Sequence, residues 1–220
     1  MLTLIFDLDN TIYPVSSIRD RLFPPLFRLL ARPEFSLEEQ TIKSAKKELM
    51  RRPFQKVAEE FKFPGELVKE SLNLLRKLTI DEPMACFEDY HIARMIPAQR
   101  FLVTSGFYRL QQSKIKELQI GNDFREVFII DPDTSPLSKK DIFARILEKY
   151  ELDVSGVVIV GDDPESEIRA ASELGIRSFL LDPDDQYPDC ECSYRARRLG
   201  ELAGFLKNEG LLRNEPNEIS

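Results

Sequence analysis

Five short apolar runs constrain this chain more than any other feature: Leu2–Leu8, Arg100–Ser105, Glu126–Asp131, Gly156–Gly161 and Arg177–Asp182. The first, third and fourth carry nearly unbroken apolar stretches (Leu4-Ile5-Phe6, Val127-Phe128-Ile129-Ile130 and Val157-Val158-Ile159-Val160). A strand with one face in water alternates apolar and polar residues, whereas a strand covered on both faces does not, so these runs predict a parallel sheet between helices. Helical patterns separate the later runs. Ile142, Phe143, Ile146, Leu147 and Tyr150 recur with the spacing of one buried helix face. Gln111–Leu118 and Pro164–Leu174 also read as helices, the latter stopped by Gly175. Alternation of strand and helix with right-handed crossovers gives an α/β fold built on a doubly wound parallel sheet. Such sheets bind ligands at the carboxyl ends of their strands.

From Tyr13 to about Ala85 the alternation stops, and no strand is predicted. Ile18–Leu30 is helical with an interruption at Pro24-Pro25, and Ser36-Leu37-Glu38-Glu39 has the form of a capping box opening a helix to about Arg51. Pro64 stands where a first helical turn accepts proline, with Leu67, Val68, Leu72, Leu75 and Leu78 as the apolar stripe and Asp81-Glu82-Pro83 as the stop. The expectation is a small all-helical module, inserted directly after the first strand and lying over that strand's end. The polar stretch Asn214–Ser220 is expected to fray.

Charge and cysteine usage narrow the function. Acidic residues outnumber basic ones by 38 to 31, a formal charge of -7, which argues against nucleic acid or an anionic membrane as a general partner. The apolar N-terminal residues run straight into Asp7 and Asp9, with no signal pattern, and no run of eighteen apolar residues occurs. A soluble, cytoplasmic protein is expected. Cys86, Cys190 and Cys192 make no disulfide framework and are expected to be reduced thiols. The single histidine, His91, lies in a helical pattern without a supporting G-x-S-x-G motif, which sets a serine–histidine triad aside.

The strand ends carry the chemistry. Asp7 and Asp9 leave the first strand on the same side, and two carboxylates held together stay ionised only beside a cation, unless one keeps a proton. Thr104-Ser105-Gly106 ends the second run before a helix start whose free amides favour an anion. Ser138-Lys139-Lys140 opens the helix after the third run, and Asp162-Asp163 ends the fourth, with Glu165 and Glu167 following. Each has an ordinary structural reading: Thr104 or Asp162 as a helix cap, Lys139 and Lys140 as solvated cations. Together they suit phosphoryl transfer through an aspartate. One carboxylate attacks phosphorus, another moves the proton, and a hydroxyl, amides, an ammonium and a magnesium ion stabilise the equatorial oxygens. Asp7, the Asp9 backbone carbonyl and Asp162 form an oxygen-only set of the kind magnesium prefers.

Asp7-x-Asp9-x-Thr11, Thr104 after an apolar strand, a lysine before Phe143, and Gly161-Asp162-Asp163 resemble the four ordered motifs of the haloacid dehalogenase superfamily. The likeness covers residues 1–12 and about 86–206. It implies a Rossmann-like core domain (1–12 and 86–220) with a helical cap domain (13–85), and a magnesium-dependent phosphatase acting on a small phosphorylated metabolite. It further implies Asp7 as nucleophile, Asp9 as acid/base and Asp162 as a metal residue beside Asp7 and Asp9. Thr104, with Ser105 and Gly106, would hold the phosphoryl group, and a lysine would neutralise it. Lys139 is preferred over Lys140 because Lys-Lys-Asp-Ile-Phe resembles the family's helix start. Glu167 stands where family members often carry a second Asp, and Asp163 offers an alternative metal residue. From the cap, Arg19 and Arg21 are the expected substrate-facing cations. A phosphomutase shares all four motifs, whereas the dehalogenase branch lacks the second aspartate. The Asp-Leu-Asp-Asn-Thr-Ile-Tyr-Pro form resembles the branch containing pyrimidine 5'-nucleotidase-like phosphatases. From other classes, a receiver domain would be about half this length, and a non-catalytic phosphate-binding protein would have no need of both Asp7 and Asp9.

Overall fold

The computed structural model describes residues 1–50 and 52–212 of the 220, so Arg51 and Arg213–Ser220, with the stretch Asn214–Ser220 expected to fray, lie outside the described residues. Six strands form one wholly parallel sheet in the order β3-β2-β1-β4-β5-β6: β1 Thr3–Phe6, β2 Gln99–Ser105, β3 Glu126–Ile130, β4 Val157–Gly161, β5 Arg177–Leu181 and β6 Tyr194–Ala196. Five of them fall on the five apolar runs. β1 is central, with β2 and β4 on either side in register (Phe6 opposite Leu102 and Val160), so chain order reverses at β1. The ends of β1, β2 and β4 therefore border the crevice where such sheets bind ligands.

Period-two alternation on β1 divides the core. Leu4 and Phe6 join a large apolar cluster on one face, while Ile5 joins a second cluster with Phe101, Val103 and Ile159 on the other. All three β1 side chains are buried, as a strand covered on both faces requires. At about 1.5–3 kcal/mol for each fully buried large side chain, these strands fix the register that carries the site.

Helices α1 (Arg19–Leu22), α2 (Pro24–Leu30), α3 (Glu39–Leu49), α4 (Phe54–Glu60) and α5 (Gly65–Leu75) lie between β1 and β2. Pro24 and Pro25 break the expected Ile18–Leu30 helix by occupying the first turn of α2, where a missing N–H costs nothing. The chain leaves for this helical segment and returns from it at one point, where the amide of Phe87 donates to the carbonyl of Ile12 at 2.8 Å. The expected capping box at Ser36 does not form. Ser36 is left-handed (φ 50) and closes the short 3-10 turn Pro33–Phe35, so α3 begins at Glu39 without a side-chain cap.

Helices α6 (Tyr90–Met95), α7 (Tyr108–Glu117), α8 (Lys139–Lys149), α9 (Arg169–Glu173) and α10 (Leu202–Asn208) complete the layers. The capping box that does form is at α8. Asp141 N donates to Ser138 Oγ at 3.3 Å and Ser138 N to Asp141 Oδ2 at 2.7 Å, fixing the helix start at Lys139. Pro164–Leu174 is not one α-helix: a π-turn over Pro164–Ile168 precedes α9. His91 is exposed, its Nδ1 at 2.7 Å from the Glu88 carbonyl, and the three cysteines are free thiols. Among the described residues no helix is long and apolar enough to cross a membrane.

Candidate active site

The backbone of β1 continues one residue past the strand. The Asp7 amide donates to the Val160 carbonyl of β4 at 2.9 Å, which holds the Asp7 side chain at the junction of the two strand ends. The carboxylate is buried. Lys139, the first residue of α8 and also buried, donates to Asp7 Oδ1 and to Glu167 Oε1. Lys140, one position on, pairs with Glu173 at 2.7 Å on the exposed side of α8, so Lys139 is the lysine that faces Asp7. Glu167 is presented by the π-turn. Its other oxygen accepts from the Asp163 amide at 3.2 Å, and Asp163 caps the turn through the Glu165 amide. The passage is narrow: a Cβ on Gly161 would stand 2.6 Å from Glu167 Cγ, so only glycine ends β4 here.

Thr11 ties Asp7 to Asp162. Its hydroxyl lies 3.3 Å from Asp7 Oδ2 and 3.3 Å from Asp162 Oδ1. Burial pushes the Asp7 carboxyl up to about 7; Lys139 opposes this, while Glu167 and Asp9 add to it. Burial, with Asp7 and Glu167, also raises Asp162 well above the ordinary range. Burial alone would discharge Lys139, but Asp7 and Glu167 outweigh it and hold the ammonium charged. One ammonium thus faces two buried carboxylates, Asp7 and Glu167, with half-buried Asp162 close by, a deficit of positive charge that a cation between Asp7 and Asp162 would make good. The donors are all hard oxygens, and a magnesium site needs few protein carboxylates because waters and substrate complete it. Among the described residues no group of three or more His, Cys, Asp and Glu side chains is placed to hold a metal ion.

Asp9 is held differently. It follows in the turn after β1, next to Asn10 in the left-handed region (φ 57), and is only partly buried. Lys114 of α7 reaches it with Nζ at 2.8 and 3.1 Å from the two oxygens, the Tyr13 hydroxyl donates to Oδ1, and Gln111 Nε2 donates to Oδ2 at 2.9 Å. Desolvation raises the Asp9 carboxyl, but Lys114, Tyr13 and Gln111 outweigh it and hold it below the usual carboxylate range. Since these donors occupy the side chain, a contribution of Asp9 to a cation falls to its backbone carbonyl.

Thr104 is buried at the end of β2, its hydroxyl 2.5 Å from the same Gln111 Nε2. Ser105 and Gly106 line the cavity in front of it, and a Cβ on Gly106 would come within 3.0 Å of Gln111. Arg19 is not brought to the site. It is exposed at the start of α1 and outside the cavity lining, while Arg21 pairs with Glu82 at 2.9 Å. Sequence reasoning missed Tyr13, Gln111 and Lys114. Their signal is polar residues on an apolar helix face: Phe107, Leu110, Ile115 and Leu118 are buried at helical spacing, and Gln111 and Lys114 fall among them.

Carboxylates, an ammonium and a hydroxyl thus meet at the switch point of a parallel sheet in an α/β protein. The haloacid dehalogenase-like hydrolase family matches residues 1–175, and the chain belongs to that family. Comparison with curated proteins gives no match. Among solved structures it is similar to a haloacid dehalogenase-like family protein from Streptococcus pneumoniae (17% identity, 94% of this chain and 98% of that one, TM-score 0.69). It is also similar to the magnesium-bound HAD-hydrolase YfnB from Bacillus subtilis (19%, 93% and 98%, TM-score 0.64) and to a HAD phosphatase from Thermococcus onnurineus (19%, 94% and 98%, TM-score 0.63). At these identities the likeness is one of fold.

Proposed function

We propose that this hydrolase is a magnesium-dependent phosphatase that cleaves a small phosphate monoester through a phospho-aspartyl intermediate on Asp7. The observation that carries this reading is the Asp7 carboxylate at the β1–β4 junction, with the Lys139 ammonium on one oxygen and Thr11 joining the other to Asp162. An Asp7 oxygen attacks phosphorus, the bond to the ester oxygen breaks, and the leaving alkoxide takes a proton from Asp9. Water then attacks the acyl phosphate after giving a proton to Asp9, and Asp7 is released. Lys139, together with Thr104 and the amide of Ser105, neutralises the equatorial oxygens in both steps, whereas the Gly106 amide is already given to the Ile130 carbonyl at 3.0 Å and Gly106 serves only as open cavity lining. Magnesium held by Asp7, Asp162 and the Asp9 carbonyl would supply further charge neutralisation and orientation of the phosphoryl group. Asp9 must part from Lys114 to become the proton donor, whereas its ionised state suits it to accept a proton from water.

The same reading makes residues 13–85 a cap domain over a core of 1–12 and 86–220. What supports it is a cavity of about 670 Å³ lined by Asp7, Asp9 and Asp162 on one side and by residues of α1 to α5 on the other. A cap there excludes water and selects the leaving group. The test is hydrolysis of 4-nitrophenyl phosphate with magnesium, and phosphate covalently trapped on the protein during turnover. Absence of turnover, or full turnover by Asp7→Asn, overturns the reading.

A further inference from the structure

The cavity between Asp7 and the helical segment is unlike a site for a hydroxyl-rich metabolite. Its wall opposite Asp7 is built from Phe23, Leu26, Leu49 and Phe54, and Phe107 and Leu110 of the sheet side continue it; all six are buried core side chains. Three of the cations around the cavity are already paired: Arg52 with Glu60 at 2.6 Å, Lys140 with Glu173 at 2.7 Å and Arg169 with Glu165 at 2.9 Å; Lys56 is exposed. One buried polar group in the wall is unanswered. Gln55, at the start of α4, has a buried Nε2 with no hydrogen-bond partner, next to the apolar side chain of Phe54. A buried amide donor without an acceptor is a standing penalty that an acceptor on a ligand removes.

Resting on the phosphatase reading of this site, we infer that the leaving group of its substrate is an apolar, ring-sized body carrying one hydrogen-bond acceptor for Gln55 Nε2. A polyhydroxylated body would lose the water around each hydroxyl and find no partner in this wall. Each such hydroxyl lowers binding roughly tenfold or more. An apolar ring gains from the same burial, and its carbonyl or ether oxygen pairs the Gln55 amide after a rotation of that side chain.

The comparison uses primary alcohols throughout, so that the chemical step is the same and only recognition differs. Benzyl phosphate, 4-acetylbenzyl phosphate and ribose 5-phosphate are assayed with magnesium beside 4-nitrophenyl phosphate. The expected kcat/KM is at least tenfold higher for benzyl phosphate than for ribose 5-phosphate, and higher again for the acetylated ester. In Gln55→Leu that second increment disappears through KM, so that the acetylated and plain benzyl esters are cleaved alike. Ribose 5-phosphate cleaved as well as benzyl phosphate, or an acetyl increment that survives Gln55→Leu, overturns the inference. If 4-nitrophenyl phosphate alone is cleaved, this inference falls and the phosphatase reading stands. If none of the four is cleaved, both fall.

Discussion

Asp7 and Asp9 are two residues apart, each gripped by a buried lysine, yet their carboxyls are shifted in opposite directions. The difference lies in how each lysine is shared. Lys139 divides its charge between Asp7 and Glu167 with Asp162 close by, in a place closed to water, so burial wins and Asp7 rises to about 7. Lys114 serves Asp9 alone, with the Tyr13 hydroxyl and Gln111 amide as further donors, and Asp9 stays partly open to solvent. A salt bridge thus fixes no protonation state by itself. The ratio of carboxylates to cations does, together with access to water.

The largest expected effect breaks the Asp7 side. Asp7→Asn removes the attacking oxygen charge, so turnover should fall to background and no covalent phosphate should form, read by mass spectrometry of the denatured protein. Asp9→Asn should cost roughly 100- to 10,000-fold per step that needs its proton. With 4-nitrophenyl phosphate, whose leaving group needs no protonation, phosphate should then accumulate on Asp7; normal turnover, or label elsewhere, reverses the assignment of the two roles. Removing the lysines separates the two environments by stability. Lys139→Met leaves buried carboxylates unpaired and should cost about 3–5 kcal/mol, whereas Lys114→Met faces a carboxylate that water can reach and should cost clearly less. Denaturant unfolding without magnesium measures both, and equal losses would contradict the comparison.

The next effect is one of pH. Burial holds Asp7 protonated in the metal-free fold from its ordinary 3.8 up to about 7, while the unfolded chain has already released that proton. Asp7 therefore makes stability fall as pH rises through that window. Asp9, depressed, contributes in the other sense: its stabilisation is present above the unfolded value and is lost as pH falls through the folded one. Magnesium competes with the proton on Asp7 and Asp162, so the rise in Tm that it produces should be larger at pH 8 than at pH 5. Identical shifts would place the metal elsewhere. A chelator should abolish turnover and magnesium restore it, with calcium restoring less because of its longer, looser coordination. The smallest effect concerns Arg19 and Arg21. Alanine at both should change KM little and stability by at most about 1 kcal/mol, since Arg19 is exposed and the Arg21–Glu82 pair lies in solvent.

What the sequence made legible follows from chain geometry. β1 to β5 announced themselves by their apolar runs, unbroken in β1 and β4 because both faces of those strands are buried, and Asp7 and Asp162 were legible because each directly follows such a run. β6 was not: Tyr194–Ala196 is three residues long, sits at the sheet edge and contains an arginine. Ser36 is a residue type suited to a cap, but in closing the 3-10 turn before it Ser36 itself takes the left-handed conformation, not the extended one of a helix cap. Lys114 and Gln111 escaped because helix periodicity alone does not tell a snorkelling lysine from one aimed at a carboxylate 105 positions away.

The hydrogen bond from Phe87 to Ile12 bears on how the chain tolerates length. Because the two ends of the helical segment are fastened together beside β1, the sheet meets it as a closed loop. The entropy of closing such a loop grows only with the logarithm of its length, roughly 0.6 kcal/mol for each doubling. Helices could therefore be added to or removed from the excursion between these two residues with the pairing of β1 to β2 left intact. A change of one residue inside β1 would instead move every side chain to the opposite face and carry Asp7 out of the site.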